Sequence, residues 1–238
     1  MPRKLRFDYP GATHHVFMRG VARSPIALDQ ADSEHALFLL ARTVSRFEIR
    51  CHGWCYLPNH AHFLFTSELG NLSRAMHHLG MCMAQAFNQR YDRPGHLFQS
   101  RFGSRLISDD RYLLELARYL PLNPVRAGLC DKPADWPWSS YAATAGLAKP
   151  PWFLDSGKLI EMLGSVEEFV SWVGEGLRES ALDDHGIPLP PPKPSLASLL
   201  PGDSDRGIAI AHFEHGYSKL AIANHLGVSD SQIGRRLA

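Results

Sequence analysis

The sequence predicts an α+β fold, in which a mostly antiparallel sheet packs against helices and a small all-α module follows at the C-terminus. Three observations lead to this prediction. Two runs of strand-forming residues, 48–57 and 60–67, are separated only by the turn residues Pro58 and Asn59. Other segments carry apolar residues at three- and four-residue steps, which is typical of amphipathic helices. A proline-rich stretch then precedes a short helical pattern at the end of the chain.

The first predicted strand covers residues 12–20, where apolar and polar residues alternate until Gly20. The first predicted helix covers residues 33–47, in which apolar residues recur with a helical period. Ser33 or Asp32 is expected to cap its N-terminus. The hairpin of residues 48–57 and 60–67 follows this helix.

A long amphipathic helix is predicted at residues 71–91, and a basic, aromatic loop at 93–107. Residues 108–120 are predicted to be helical, with Ser108 and two aspartates at the N-terminal end. Proline cannot donate a backbone hydrogen bond and restricts the residue before it. Because Pro121 and Pro124 follow, this helix is expected to end near Tyr119.

A change of composition after residue 182 predicts a domain boundary. Residues 183–204 are rich in proline and are expected to form a semi-rigid linker. The segments that follow flank a tight turn at Gly227, which is typical of a helix-turn-helix DNA-binding module; a plain helical hairpin used for dimerisation is the alternative. The predicted organisation is an α+β domain at 1–145, a helical extension at 146–182, the linker at 183–204 and this module at 205–238.

The formal net charge of +1 hides an uneven distribution. Residues 1–130 contain 16 Lys and Arg against 10 Asp and Glu, and 15 of the 16 cations are arginines. Residues 131–200 contain 5 against 10. Because guanidinium groups suit phosphate oxygens, the basic half is compatible with a polyanionic partner.

The four cysteines and the start of the chain bear on localisation. No apolar run follows the basic first residues, and no stretch approaches the roughly 18 apolar residues of a membrane span. We therefore expect a cytoplasmic protein that has no membrane partner and keeps its thiols reduced.

The segment YLPNHAHFLF, residues 56–65, contains two histidines one residue apart. Since residues i and i+2 of a strand share a face, His60 and His62 are expected to project together, as the ligands of a divalent metal would. Two alternatives stay open at this point. The pair could be satisfied by hydrogen bonds at a sheet edge, or it could join Cys51 and Cys55 in a structural zinc site.

Four motifs in fixed order, YLPNHAHFLF (56–65), GHLFQSRF (95–102), RYLPLNPVRAGL (118–129) and DWPWSSY (135–141), carry a resemblance. Together they resemble the REP-associated tyrosine transposases, a branch of the HUH-type single-tyrosine transposases, over about residues 10–141. The resemblance implies an HUH, ferredoxin-like fold and a metal-dependent single-stranded DNA endonuclease and strand-transferase.

Site residues are carried over from this resemblance. It implies that Tyr119 is the nucleophile and that His60, His62 and Asn123 bind Mg²⁺ or Mn²⁺. Tyr112, seven residues before Tyr119, is the other candidate nucleophile, although packing is the simpler role for it. The implied partner is single-stranded or hairpin DNA, and a homodimer is possible.

Polar and basic residues in suitable positions are expected to contact DNA. They are Arg19, Arg23, Gln99, Arg101, Arg105, Arg126, Ser231, Gln232, Arg235 and Arg236. The alternative function is a DNA-binding transcriptional regulator, in which catalysis is lost and only the helix-turn-helix acts.

Overall fold

A computed structural model describes residues 8–176, 194–214 and 217–237. The described chain divides into two compact units, one formed by residues 8–107 with 114–176 and the other by residues 108–113 with 194–237. Half of the predicted linker, residues 183–193, lies outside the described residues. In the described part of the chain, no helix is both long and apolar enough to cross a bilayer.

The first unit is built on a four-stranded antiparallel sheet with the order β2-β3-β1-β4. Its strands are β1 (Ala12–Arg19), β2 (Ile49–Leu57), β3 (His60–Ser67) and β4 (Gly103–Leu106). The predicted antiparallel sheet with packed helices is thus confirmed, including the hairpin of β2 and β3.

Strand β4 falls in the segment 93–107, which the sequence predicts to be a strand-like loop, and residues 103–106 of it form a regular strand. The four residues pair with β1 in the register Phe17 opposite Gly103 and His14 opposite Leu106. A Cβ atom at position 103 would lie 2.1 Å from the ring of Phe17, so only glycine fits this close approach.

Two helices cover one face of the sheet. They are α1 (Gln30–Phe47) and α2 (Leu72–Arg90). Leu40 and Leu79 from these helices are fully buried in one core with Phe63 of β3. The N-cap of α1 is Asp29, whose side chain accepts from Asp32 N, so the predicted caps were wrong by one turn.

The opposite face of the sheet contacts helix α3 (Asp110–Arg126). This helix continues through Pro121 and Pro124, so the prediction that it ends near Tyr119 was wrong. The side-chain Nδ2 of Asn123 donates to the carbonyl oxygens of Tyr119 (3.0 Å) and Leu120 (3.4 Å). Because Pro124 has no N–H for the Leu120 carbonyl, the Asn123 side chain replaces part of the hydrogen bonding that proline removes.

The free edge of β2 is covered by the chain that follows α3. Tyr56 N donates to Trp138 O, Ser140 N donates to Trp54 O, and the indole of Trp136 donates to Tyr56 O. This covering leaves few unpaired backbone groups on that edge. Three helices complete the unit: α4 (Tyr141–Thr144), α5 (Gly157–Leu163) and α6 (Val166–Glu175).

The second unit has its own small apolar core, in which Ile208, Ile222 and Ile233 are fully buried. Its described helices are α7 (Leu196–Leu199), α8 (Asp205–Ala209), α9 (Lys219–Leu226) and α10 (Asp230–Arg236), with a π-helical turn at Ile210–Glu214. Helix α7 lies inside the segment predicted to be linker. Helices α9 and α10 flank Gly227, which caps α9 at a φ of 70°; their role as a helix-turn-helix module stays a prediction.

Candidate active site

His60 is the first residue of β3, directly after the turn of the hairpin. Its Nδ1 lies 2.6 Å from Asn59 Oδ1, and Asn59 Nδ2 donates to Arg23 O, which fixes the orientation of the amide. An amide oxygen only accepts, so the proton is on Nδ1 and the lone pair of His60 is on Nε2. Burial, together with the charge of Arg19, lowers the pKa of His60 to about 4. His60 is therefore neutral at pH 7, the form that binds metal ions.

His62 is almost completely buried, with 1% of its surface exposed. Its Nδ1 lies 3.1 Å from Nε2 of His15 on the neighbouring strand. Its Nε2 is buried and has no hydrogen-bond partner among the described residues. Burial, followed by the neighbouring imidazoles of His15 and His60, lowers the pKa of His62 well below its ordinary value. The rings of His60 and His62 are 5.0 Å apart, so the predicted shared face is confirmed.

Tyr119 of α3 packs against this pair of histidines. Its ring meets the ring of His62 edge-on at 5.5 Å and that of His15 at 6.3 Å. Only 2% of Tyr119 is exposed. The guanidinium of Arg126, two turns further along α3, lies 5.7 Å from the phenol ring and donates to Gly176 O at 2.9 Å. Partial burial lowers the pKa of Arg126, and the nearby Tyr119 offsets only part of this decrease.

Asn123 lies one helical turn after Tyr119 on the same face of α3, because the helix continues through the prolines. Its Nδ2 is directed at two backbone carbonyls, so its Oδ1 points away from them. Within residues 8–176, 194–214 and 217–237, no three or more His, Cys, Asp and Glu are grouped as metal ligands. A cation bound by His60 and His62 would therefore take its remaining ligands from other groups, such as an amide oxygen, a backbone carbonyl or water.

The structure contradicts the sheet-edge position and the zinc site, whereas the hydrogen bonds at Nδ1 of both histidines agree with the first alternative. Strand β3 lies between β2 and β1, so the histidines are not at a sheet edge. A β-bulge after Cys51 places Cys51 opposite Phe65, on the face covered by α1 and α2, whereas Cys55 lies opposite His62. The two thiols thus face opposite sides of the sheet, and burial raises the pKa of both. They do not form a zinc site with the histidines.

Six residues of the first unit are predicted to contact DNA: Arg19, Arg23, Gln99, Arg101, Arg105 and Arg126. Arg19 lies opposite His60 across the β1–β3 pair, and Arg105 lies opposite His15 across the β1–β4 pair. Both therefore share the histidine face of the sheet. Gln99 N donates to Arg19 O, which places the exposed Gln99 beside β1. Arg23 and Arg101 are exposed.

The remaining predicted contacts, Ser231, Gln232, Arg235 and Arg236, lie on α10 of the second unit. Gln232 forms a capping box with Ser229, and Arg236 pairs with Asp203 and Asp205. These two side chains therefore have internal partners, while Ser231 and Arg235 are exposed. Their contact with DNA stays a prediction.

Sequence reasoning did not single out His15 or Asn59 as part of the site. Each holds the Nδ1 side of one of the paired histidines. The alternation of β1 indicates that His15 shares a face with Phe17 and Arg19, but only the register with β3 shows which side chain it meets. Tyr112, the other candidate nucleophile, is buried with 1% exposed.

Comparison with known proteins finds a family model and a curated relative that are similar to part of this chain. Residues 9–121 match the family model described as "Transposase IS200 like". A curated relative from Haemophilus influenzae, described as a REP-associated tyrosine transposase, is 30% identical over 99 residues, which cover 37% of this chain and 56% of the relative. The chain thus spans about half the length of the curated relative that it matches.

A solved structure, of a REP-associated tyrosine transposase bound to a REP hairpin, aligns with a TM-score of 0.53. The alignment covers 66% of this chain and 93% of that chain at 21% identity. At this identity the likeness shows the fold.

Proposed function

Since residues 9–121 match the IS200-like transposase family model, we propose that the chain is a metal-dependent single-stranded DNA endonuclease and strand-transferase. Its substrate is hairpin-bearing repeat DNA, like the REP hairpin bound by the structural relative. Tyr119 is the nucleophile, and the reaction passes through a 5′-phosphotyrosyl intermediate.

The contact between Tyr119 and His62 carries this proposal. A phenol has a pKa of about 10 and is a weak nucleophile at neutral pH, so it needs a polarised electrophile beside it. The phenol ring lies 5.5 Å from the ring of His62, whose buried Nε2 has no hydrogen-bond partner in the described part of the chain. The phenol ring of Tyr119 thus lies beside an imidazole that has a ring nitrogen available to bind a cation.

The residues present fit a divalent cation. His60 presents Nε2 because Asn59 holds its Nδ1 proton, and His62 presents a buried Nε2 to which no described residue donates or accepts a hydrogen bond. Asn123 supplies an amide oxygen from α3. Mg²⁺ or Mn²⁺ held by these three residues would polarise the scissile phosphate and leave coordination positions open for its oxygens.

The reaction itself is an in-line displacement at the phosphorus atom of the scissile phosphate. The phenol oxygen of Tyr119 forms a bond to phosphorus as the bond from phosphorus to the 3′-oxygen breaks, and the leaving oxygen takes up a proton. Because the ester energy is kept in the phosphotyrosine, an incoming 3′-hydroxyl can reverse the step and rejoin strands without a nucleotide cofactor. Arg126 is placed beside the phenol, where its charge favours an approaching phosphate.

Access to the site requires a rearrangement. With 2% of Tyr119 exposed, a DNA phosphate cannot reach the phenol until neighbouring side chains or α3 are displaced. Arg19 and Arg105, on the same face of the sheet, are positioned to bind the strand while this occurs.

The proposal is tested by forming the covalent intermediate. The protein is incubated with labelled hairpin oligonucleotides that carry varied single-stranded flanks, in Mn²⁺ or Mg²⁺, and is analysed for an SDS-resistant protein–DNA adduct. We expect an adduct with the wild type and with the matched control Tyr112→Phe, and none with Tyr119→Phe or after addition of EDTA.

Two outcomes would contradict the proposal. An adduct that persists in Tyr119→Phe would place the nucleophile elsewhere. Hairpin binding without an adduct for any flank would favour the alternative, a DNA-binding regulator without catalysis.

A further inference from the structure

We propose that His15 is a positioning residue that fixes the proton of His62 on Nδ1 and thereby makes Nε2 of His62 a metal ligand. The inference deepens the proposed function and rests on it for the identity of the bound group. His15 would act through His62 and would touch neither the metal nor the DNA.

Strand register brings the two imidazoles together. His62 lies opposite Phe17, and His15 is two residues before Phe17 on the same face of β1, so the histidines are diagonal neighbours. His15 is 0% and His62 1% exposed, and their Nε2 and Nδ1 atoms are 3.1 Å apart. No water competes for this hydrogen bond, because both side chains are enclosed.

Only one proton is shared in a hydrogen bond between two neutral imidazoles, and its position decides what His62 can do. If His62 Nδ1 donates to His15 Nε2, the lone pair of His62 is on its buried Nε2 and can bind a cation. If His15 Nε2 donates instead, His62 carries its proton on Nε2, where the described residues offer no acceptor. In the first arrangement the proton of His15 is on its own buried Nδ1, so the burial of a donor does not by itself decide between the two. A cation at Nε2 of His62 requires that nitrogen to be unprotonated, so its binding selects the first arrangement, in which His15 is the acceptor.

The neighbouring ligand shows the same arrangement with a different partner. His60 donates its Nδ1 proton to Asn59 Oδ1 at 2.6 Å, and an amide oxygen cannot donate in return. Both histidines thus hold a partner on Nδ1 and present Nε2. Ligating histidines in metal sites commonly donate their second nitrogen to an acceptor in this way, and removal of the acceptor typically weakens metal binding by about 10- to 100-fold.

Mn²⁺ titration of full-length variants tests the role of His15. In His15→Phe the ring is kept and the acceptor is lost, and we expect Mn²⁺ to bind about 10- to 100-fold more weakly. His15→Gln places an amide oxygen near the position of the imidazole Nε2 and should recover most of the affinity. His14→Phe is the matched control, because His14 is equally buried on the same strand but shares the opposite face with Phe65.

A measurement without metal tests the tautomer directly. In protein labelled with ¹⁵N-histidine, long-range ¹H–¹⁵N spectra distinguish protonated from unprotonated ring nitrogens. We expect His62 to carry its proton on Nδ1 in the wild type and in His15→Gln, and to show a mixture of tautomers in His15→Phe. Circular dichroism establishes that each variant is folded.

The outcomes separate this inference from the proposed function. A wild-type His62 that is protonated on Nε2, or a folded His15→Phe with wild-type Mn²⁺ affinity, would overturn the role of His15. If the wild type neither binds Mn²⁺ nor forms a DNA adduct, the proposed function fails, and the assignment of the His62 proton is then decided by the ¹⁵N spectrum alone. If His15→Phe does not fold, the spectrum of the wild type and the affinity of His15→Gln still decide the case.

Discussion

Replacement of Asn123 by alanine should separate two roles of this side chain. In the structure, its Nδ2 donates to carbonyl oxygens of α3, and its Oδ1 is the amide oxygen available to a cation. Asn123→Ala removes both. We therefore expect a loss of stability and, independently, a loss of Mn²⁺ affinity.

The size of the stability loss follows from the hydrogen bonds. Asn123 is 7% exposed, and Leu120 O has no backbone donor at Pro124. An unsatisfied buried acceptor costs about 1–3 kcal/mol, and the better helix propensity of alanine offsets about 0.5 kcal/mol of this. The free energy of unfolding should thus fall by about 0.5–2.5 kcal/mol, which corresponds to a decrease in Tm of about 1–10 °C for a domain of this size.

A double-mutant cycle with Pro124 tests the reasoning. Pro124→Ala restores an N–H that can donate to Leu120 O, so Asn123→Ala should cost less stability in the Pro124→Ala background than in the wild type. Urea denaturation of all four proteins measures this difference. Mn²⁺ affinity, measured by calorimetry, should stay low in both proteins that lack Asn123, because the amide oxygen is absent from each.

Two results of these measurements would contradict the roles assigned to Asn123. An equal cost of Asn123→Ala in both backgrounds would show that the side chain does not serve the carbonyl released by proline. Unchanged Mn²⁺ affinity in Asn123→Ala would remove Asn123 from the ligand set and leave the two histidines without the third protein ligand.

Three further predictions concern other parts of the first unit. Tyr119→Phe keeps the buried ring, so Mn²⁺ affinity should be retained and unfolding free energy should change by no more than about 1.5 kcal/mol while the DNA adduct disappears; a parallel loss of Mn²⁺ binding would contradict a purely nucleophilic role. Burial lowers the pKa of His52 from its ordinary 6.5, so the unfolded chain takes up the proton first and stability should fall as pH drops below 6.5; urea midpoints should decline less steeply in His52→Gln, and identical slopes would refute this. Gly103→Ala forces the ring of Phe17 to move and should cost about 1–3 kcal/mol, whereas Gly174→Ala, whose Cβ would meet nothing within 4 Å, should not destabilise the protein; equal thermal midpoints for the two variants would show that the sheet relaxes around residue 103.

The sequence predicted the parts of the site that depend on short-range periodicity. His60 and His62 share a face because a strand repeats every two residues, and the turn at residues 58–59 fixes where that strand begins. The pairing of His62 with His15 depends instead on the register between β1 and β3, which a single sequence does not determine.

Helix α3 shows a different limit. Pro121 and Pro124 each remove a backbone donor, so local rules end the helix before the turn that carries Asn123. In the structure, burial of Leu116, Leu120 and Leu122 and the side-chain hydrogen bonds of Asn123 maintain the helix through both prolines. Tertiary packing thus overrides a strong local signal, and this continuation places Asn123 one turn after Tyr119.

The enclosure of the phenol has a consequence for fidelity. In the proposed reaction, a nucleophile that is buried away from solvent cannot cleave every DNA strand that collides with the protein. Favourable contacts with the correct hairpin must first supply the energy that uncovers the group, and a poorly matched strand would dissociate before that happens. Selection among genomic sequences would then take place before any bond is broken, and accidental breaks in the chromosome would be rare even where many similar repeats are present.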